Sequence, residues 1–410
     1  MTSDPTRAFV WVWLSDSQQP VVAGRLDVAG AAVTFTYGRT YLERANAISL
    51  YEPELPLRPG LIPPTTGTIA GCIADSAPDA WGRRVMMNRR VGRSSDHVSD
   101  PSELTLLLES GSDRIGALDF QESPSEYVSR SMGNATIAEL AESAARVEQG
   151  IPLSPDLDAA LLHGTSVGGA RPKAILRDGE RQLIAKFSST TDTYPIVKGE
   201  FIAMELARRA GLTVASVEMT TALGRDALLI DRFDRPAGGR RAMVSALTIL
   251  GQTENEAIYG ASYADLANLI RKRFTDPDAT LRELFARITF NILVGNNDDH
   301  PRNHAGFWDG RMLTLTPAYD ICPQPRSGGE TRQLMAIGTD GYRMSQLAGC
   351  VERSRIYHLA PATARDIIDR QIAVIQDDWV DVCDLAQLTE VERASFWKRQ
   401  FLNEYAFYDY

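Results

Sequence analysis

The stretch GNNDDHPRNHAGF, residues 295–307, follows an apolar run with helical spacing that ends near Val294. Within this stretch, Asp298 and Asn303 stand in the spacing D-x-x-x-x-N. That spacing suits phosphoryl transfer, because the aspartate can accept a hydroxyl proton while the asparagine reaches Mg²⁺. Asp299 lies one residue late for the spacing, so the pattern assigns the proton acceptor to Asp298.

A hairpin-like segment, GFWDGRMLTLTPAYD, leads from this stretch to Asp320. An acidic residue at the end of a strand after the catalytic loop is where a kinase places its second Mg²⁺ ligand. Two other interpretations of NNDDH stay open. An acidic, Asn-rich segment is often a solvated turn. Asp and His side chains also bind the metals of hydrolases, although no second His/Glu pair at helical spacing supports such a site.

Upstream, Lys186 lies inside the apolar strand-like run QLIAKF. A lysine in such a strand is costly to desolvate without an anionic partner. Kinases place there a lysine that holds ATP phosphates and pairs with a glutamate on the next helix, and Glu200 is predicted to open that helix. The alternative is an edge-strand lysine whose ammonium group reaches water.

A segment rich in small residues, HGTSVGGARPKAIL, precedes that strand. Its glycines, among them Gly168 and Gly169, let backbone N–H groups approach phosphate oxygens. The segment matches neither G-x-x-x-x-G-K-[ST] nor G-x-G-x-x-G, and taken alone it could be an ordinary turn. The chain nevertheless carries in kinase order a Gly-rich loop, a strand lysine, a helix glutamate, D-x-x-x-x-N and a strand-end aspartate.

The pattern of the whole chain predicts an α+β, two-lobed, protein-kinase-like fold with a β-rich N-terminal part and a mainly α-helical C-terminal lobe. We expect an N-terminal subdomain over residues 1–125, a kinase N-lobe with the Gly-rich loop over 126–240, and a helical C-lobe with the catalytic loop over 241–410.

Composition limits the functions that remain. The net charge of −10 argues against broad, direct binding to nucleic acid, which needs a basic face. The four scattered cysteines form no CxxC pair, so reduced thiols in a cytoplasmic protein are expected. No run of 18 uncharged apolar residues and no signal peptide is found, so we expect no membrane association.

Seven pieces of the chain together resemble the HipA family of serine/threonine kinases, the toxins of bacterial toxin–antitoxin pairs. Three of them are the most specific: GTSVGGARPKA at residues 164–174, and the paired blocks NNDDHPRNHAGF and LTPAYDICP around Asp298 and Asp320. The remaining pieces are DSAPDAWGRR, SDRIGALDF, LIAKF and DRFDR. The resemblance extends from about Asp75 to Cys322, and the β-rich start fits the N-terminal subdomain of the family.

The resemblance implies roles at matching positions. Asp298 would be the catalytic base, Asn303 and Asp320 would be Mg²⁺ ligands, and Lys186 would hold ATP phosphates, with Glu200 as its helix partner. Ser166 stands where family members carry a regulatory autophosphorylation serine. This chain reads TSVGG at that point, so Thr165 is a second candidate hydroxyl.

The family also implies partners and an activity that restrains growth, as in bacterial persistence. A small helix-turn-helix antitoxin, similar to HipB, would bind DNA on behalf of the complex, and the protein substrate could be an aminoacyl-tRNA synthetase. Two other functions stay open at this stage: a small-molecule kinase of similar fold, and a catalytically silent binding module in an antitoxin or repressor complex.

Overall fold

The structure is a computed structural model of the chain. The part that it describes is residues 4–15, 17–93, 100–130, 135–154, 157, 169, 171–189, 191–236, 239–326 and 328–410. The chain divides into two compact units. Unit 1 comprises Met1–Ser189, Thr220–Val244 and Phe307–Arg311, and unit 2 comprises Thr190–Met219, Ser245–Gly306 and Met312–Tyr410.

An antiparallel five-stranded sheet in the order β4-β3-β2-β1-β5 builds the N-terminal part of unit 1. Its strands are β1 (Arg7–Val12), β2 (Val21–Ala29), β3 (Ala32–Tyr37), β4 (Leu61–Ile62) and β5 (Leu118–Gln121). The helices of this part are α1 (Arg39–Leu42), α2 (Gly71–Ala74), α3 (Ala80–Arg93) and α4 (Glu103–Glu109). The predicted β-rich N-terminal part is therefore present.

A second sheet in unit 1 has the order β6-β7-β9-β8. Its strands are β6 (Lys173–Asp178), β7 (Arg181–Phe187), β8 (Val217–Ala222) and β9 (Arg225–Asp231). Helix α5 (Ile137–Glu148) begins with a capping box in which Thr136 and Glu139 satisfy each other's backbone N–H groups. Its apolar side chains share one buried core with Trp81 of α3 and with Ile175 and Phe187 of the sheet.

A buried carboxylate with arginine partners lies in the motif SDRIGALDF of unit 1. Asp119 is fully buried and accepts hydrogen bonds from Arg114 Nε (2.9 Å), Arg130 Nη2 (3.0 Å) and Ser112 Oγ (2.7 Å). We call these four residues the Asp119 cluster. Burial alone would raise the pKa of Asp119, but Arg114 and Arg130 outweigh burial and lower that pKa.

Helices dominate unit 2. They are α6 (Ile196–Arg209), α7 (Ala246–Leu250), α8 (Glu254–Gly260), α9 (Tyr263–Arg273), α10 (Pro277–Leu293), α11 (Leu347–Glu352), α12 (Pro361–Leu385) and α13 (Glu390–Phe396). Short 3₁₀ helices cover Pro301–Asn303, Ser354–Tyr357 and Glu404–Phe407. Helices α6 and α12 pack together, and Gly199 of α6 leaves room for the ring of Phe396, which a β-carbon would approach to 3.0 Å.

Three short strands complete the fold: β10 (Met243–Ser245), β11 (Ala305–Trp308) and β12 (Leu313–Leu315). They form a small sheet in the order β10-β11-β12, so the segment between residues 305 and 315 is the predicted hairpin. The four cysteines are buried thiols. Among the described residues, no helix is long and apolar enough to cross a bilayer.

Candidate active site

Helix α10 ends in a turn that fixes where the 296–304 loop begins. Gly295 has φ +71°, and a β-carbon there would lie 2.7 Å from the backbone oxygen of Gln400. Only glycine combines this left-handed conformation with such a close approach. The N–H of Asn296 donates to the carbonyl of Asn291 (2.8 Å), so the loop leaves the helix in one defined direction.

Asp299 is a buried anchor of this loop. Its Oδ2 accepts hydrogen bonds from the hydroxyl of Tyr263 (2.5 Å) and from Nδ2 of Asn291 (2.8 Å). Nε2 of His304 lies 2.8 Å from the same oxygen. Burial would raise the pKa of Asp299, but His304 and Tyr263 outweigh burial and lower it. With these partners, the carboxylate is well suited to holding the loop and poorly suited to accepting a proton.

Asp298 has the opposite environment, although it is the adjacent residue. Its side chain is exposed and lines a cavity of about 570 Å³. Partial desolvation and the negative charges of Asp320 and Asp299 raise its pKa, against the opposing effect of His300. The Asp298 carboxylate therefore has an increased proton affinity and faces open space, as a general base requires.

Asp320 acts electrostatically on Asp298: after desolvation, the negative charge of Asp320 contributes to raising the pKa of Asp298. The strand-like segment before it is fixed by two hydrogen bonds, from the N–H of Ala318 to the Thr213 carbonyl (2.8 Å) and from the N–H of Ala215 to the Ala318 carbonyl (2.9 Å). Asp320 has φ +60°, a conformation that costs a non-glycine residue of order 1–3 kcal/mol and clusters at functional sites.

Asn303 ends the 3₁₀ turn Pro301–Asn303 and is buried. The hydroxyl of Tyr319 donates to the carbonyl of Arg302 (2.7 Å), which ties the residue before Asp320 to the residue before Asn303. Two carboxylates and one amide are hard oxygen donors, and Mg²⁺ often binds through one or two carboxylates with phosphate oxygens and water completing its shell. Among the described residues, no group of three or more His, Cys, Asp or Glu side chains could hold a metal.

Lys186 lies on β7, where it pairs in register with Lys173 of β6 and Leu228 of β9. Directly paired residues of antiparallel strands point to the same face, so the two lysines are neighbours. Lys173 is almost completely buried, and its Nζ lies 3.4 Å from Oδ2 of Asp79. A β-carbon at Gly169, where φ is +96°, would overlap that Nζ. This face of the sheet therefore carries two positive charges beside one glycine of the Gly-rich segment.

Lys186 was predicted from the sequence and Lys173 was not, although Lys173 lies in the apolar run PKAILRD next to the Gly-rich segment. Gly168, Ser166 and Thr165 lie outside the described residues. The prediction that Glu200 opens its helix is wrong, because α6 begins at Ile196 and Glu200 is a buried residue in its second turn. Pro195 is the residue that caps the start of the helix, so the helix begins four residues before Glu200.

The sequence matches the profile of the HipA-like C-terminal domain over residues 165–379 and that of the HipA N-terminal domain over residues 11–121. The chain belongs to the HipA family. The predicted resemblance is therefore confirmed, and the motifs around Asp298 and Asp320 lie within the matched C-terminal domain.

Two relatives of this HipA-family chain carry the names of kinases. The chain is 26% identical over 324 residues to Y4mE of Sinorhizobium fredii, a protein named as a kinase. The match covers 69% of the chain and 76% of Y4mE. It is 27% identical over 184 residues to the serine/threonine-protein kinase toxin HipA of Shewanella oneidensis, covering 38% of the chain and 42% of that toxin.

The solved structure of Shewanella oneidensis HipA, in a complex with HipB and operator DNA, is similar to this HipA-family chain with a TM-score of 0.71 at 20% identity. The similarity covers 97% of this chain and 99% of that one. At this identity the comparison establishes the fold. The predicted α+β, kinase-like fold is confirmed.

Proposed function

We propose that this HipA-family protein is an ATP- and Mg²⁺-dependent serine/threonine protein kinase that acts as the toxin of a toxin–antitoxin pair. One observation carries the proposal: of two adjacent aspartates, Asp299 is buried and hydrogen-bonded, whereas Asp298 lines a cavity and has a pKa raised by desolvation and by the charge of Asp320. A kinase needs one carboxylate that can take a proton and another that can share a metal ion.

Asp298 is the proposed proton acceptor. The hydroxyl oxygen of a serine or threonine forms a bond to the γ-phosphorus of ATP while the bond from that phosphorus to the bridging oxygen breaks. The hydroxyl proton passes to an Oδ atom of Asp298, and ADP leaves with the electron pair of the broken bond. Asp299 keeps the loop in place through Tyr263, Asn291 and His304.

Asn303 and Asp320 are the proposed Mg²⁺ ligands. The repulsion that raises the pKa of Asp298 through Asp320 supports this role, because a divalent cation would relieve it. When bound, the metal neutralises charge on the transferred phosphoryl group. Lys186 is proposed to hold phosphate oxygens with Gly168 and Gly169, and Glu200 is proposed as the partner of that lysine.

Phosphotransfer with γ-³²P-labelled ATP tests the proposal. The protein should transfer label to itself or to a protein in a cell lysate when Mg²⁺ is present, and EDTA should abolish the transfer. Lys186→Ala should weaken ATP binding measured by calorimetry, whereas Lys272→Ala, at an exposed lysine of α9, should not. Transfer that survives EDTA, or equal ATP affinity in both variants, would contradict the assignment.

Regulation and partners follow from the same proposal. Ser166, or its neighbour Thr165, is the proposed autophosphorylation site, and peptide mapping would identify it. Because Shewanella oneidensis HipA is found with HipB and operator DNA, we propose a helix-turn-helix, HipB-like antitoxin as partner. The net charge of −10 favours DNA contact only through that antitoxin. An aminoacyl-tRNA synthetase is the proposed class of substrate.

A further inference from the structure

The segment from Thr331 to Ser345 follows Asp320 in sequence and returns to the cavity beside Asp298. It forms two short antiparallel stretches, joined by hydrogen bonds from the N–H of Gln333 to the Arg343 carbonyl (2.7 Å) and from the N–H of Ser345 to the Thr331 carbonyl (3.1 Å). Nδ2 of Asn297 donates to Oγ1 of Thr331 (2.7 Å), which ties the segment to the loop that carries Asp298.

The cavity is lined by polar side chains from both regions. They are Asn297, Asp298, Gln324, Arg332, Gln333 and Arg343, with Leu334 as the apolar exception. With two arginines and one aspartate, its formal charge is positive, although the chain as a whole has a net charge of −10. A positive cavity in an acidic protein favours an anionic occupant.

Among the described residues, no carboxylate forms an ion pair with Arg332 or Arg343. The Nη1 of Arg343 donates to the carbonyl of Leu334, and its Nη2 donates to the carbonyl of Tyr259 (2.9 Å). Carbonyl partners hold the guanidinium in position without cancelling its charge. Arg332 is exposed. Within the part of the chain that the structure describes, neither guanidinium forms an ion pair, so both can meet an incoming carboxylate.

Gln333 adds a second, independent indication of a ligand. Its side chain is 2% exposed, its Nε2 donates to Oγ of Ser345 (3.1 Å), and its Oε1 has no partner among the described residues. An unsatisfied buried polar atom costs about 1–3 kcal/mol. Whichever amide atom faces Ser345, the other is left over at the cavity wall, where a peptide N–H or C=O group can satisfy it.

We propose that this cavity binds the acceptor segment of the protein substrate, and that this segment is acidic. The acceptor hydroxyl faces Asp298, side-chain carboxylates near it in the sequence meet Arg332 and Arg343, and a backbone amide group meets Gln333. This inference rests on the proposed kinase function.

Peptide phosphorylation tests the inference. Three serine peptides that differ only in having Glu, Gln or Lys at the flanking positions are incubated with the full chain, Mg²⁺ and labelled ATP. The Glu peptide should give the highest kcat/KM. In the double variant Arg332→Gln/Arg343→Gln, kcat/KM for the Glu peptide should fall by roughly 10- to 100-fold, as expected for the loss of charged hydrogen bonds. The KM for ATP and kcat/KM for the Gln peptide should stay within a few-fold.

Arg282→Gln, at an exposed arginine of α10, is the matched control and should leave the Glu preference unchanged. Equal use of the three peptides by the wild-type protein would overturn the inference. A double variant that keeps the Glu preference but has a higher KM for ATP would also overturn it, because the arginines would then bind ATP phosphates. So would an RNA oligonucleotide that competes for the cavity more strongly than the Glu peptide binds. Self-phosphorylation of the chain without any peptide preference would refute the acidic acceptor and leave the kinase proposal intact.

Discussion

The Asp119 cluster of unit 1 and the 296–304 loop of unit 2 each contain an aspartate whose partners can be compared, and the two carboxylates have opposite environments. Asp119 is fully buried, and the charges of Arg114 and Arg130 lower its pKa. Asp298 is exposed at a cavity, and the charge of Asp320 contributes to raising its pKa. A carboxylate that already has its partners stabilises the fold, whereas one that lies beside another carboxylate can take part in chemistry.

The same contrast separates Asp298 from Asp299 over one residue of sequence. Asp299 receives hydrogen bonds from Tyr263 and Asn291 on two different helices, and Asp298 lines the cavity. The distinction depends on tertiary partners. A change at Asp298 should therefore lower the phosphotransfer rate without lowering stability, whereas a change at Asp299 should lower stability with little direct effect on the chemistry.

The largest effect is expected for Asp298→Asn. Asparagine cannot accept the hydroxyl proton, so the phosphotransfer rate should fall by about 10²–10⁴-fold. Stability at neutral pH should be unchanged or slightly higher, because a carboxyl with a raised pKa disfavours folding when it is ionised. Labelled-ATP assays and urea unfolding of the same preparation measure both quantities. A strongly lowered urea midpoint would place Asp298 among the structural carboxylates.

Asp119→Ala should have the largest effect on stability. It leaves the fully buried Arg114 without its carboxylate, which typically costs about 3–5 kcal/mol in free energy of unfolding. Asp27→Ala is the matched control, because Asp27 also pairs with two arginines, Arg7 (2.7 Å) and Arg25 (2.8 Å), but its side chain is 25% exposed and both arginines are half-exposed. It should cost at most about 1 kcal/mol. Urea unfolding measures both free energies. Equal losses of free energy of unfolding in the two variants would contradict the structural role given to the buried Asp119.

Asp299→Asn should destabilise the protein by about 2–3 kcal/mol at pH 7, since an amide cannot accept from all the donors around it. The pKa of Asp299 is lowered in the folded protein, so its stabilising contribution is complete above the unfolded-state pKa, about 3.9. That contribution is lost as pH falls through the folded-state pKa. Urea unfolding at pH 7 and at acidic pH should show that the difference in free energy of unfolding between variant and wild type becomes smaller at acidic pH. A difference that does not change with pH would contradict an ionised Asp299 in the folded protein.

Tyr263→Phe should give the smallest effect. It removes one hydrogen bond to Asp299 and leaves those of Asn291 and His304, so a loss of about 1–2 kcal/mol is expected. The phosphotransfer rate per folded molecule should stay within a few-fold of wild type. A rate loss as large as that of Asp298→Asn would mean that Tyr263 acts directly on the reacting groups.

Local patterns predicted the elements and the order of the motifs. The apolar run QLIAKF predicted β7, and the spacing D-x-x-x-x-N indicated Asp298 and Asn303. Tertiary contacts are beyond such patterns. The partner of Asp299, Tyr263, lies 36 residues upstream, and the partner of Lys173, Asp79, lies 94 residues upstream.

The positive cavity is a second feature that local patterns could not provide. Arg332 and Arg343 stand 11 positions apart in a segment without a regular period, and only the antiparallel pairing of that segment brings them to one wall. Their significance depends on what surrounds them, because a guanidinium paired with a carboxylate and one held by carbonyls look alike in sequence.

The ratio of phosphotransfer rates between Asp299→Asn and Asp298→Asn, in folded protein under identical Mg²⁺ and ATP, tests the central claim most directly. We expect the Asp299 variant to be faster by about 100-fold or more, because it retains the proton acceptor and loses only an anchor. Equal rates, or a faster Asp298 variant, would contradict the account and move the proton acceptor to Asp299.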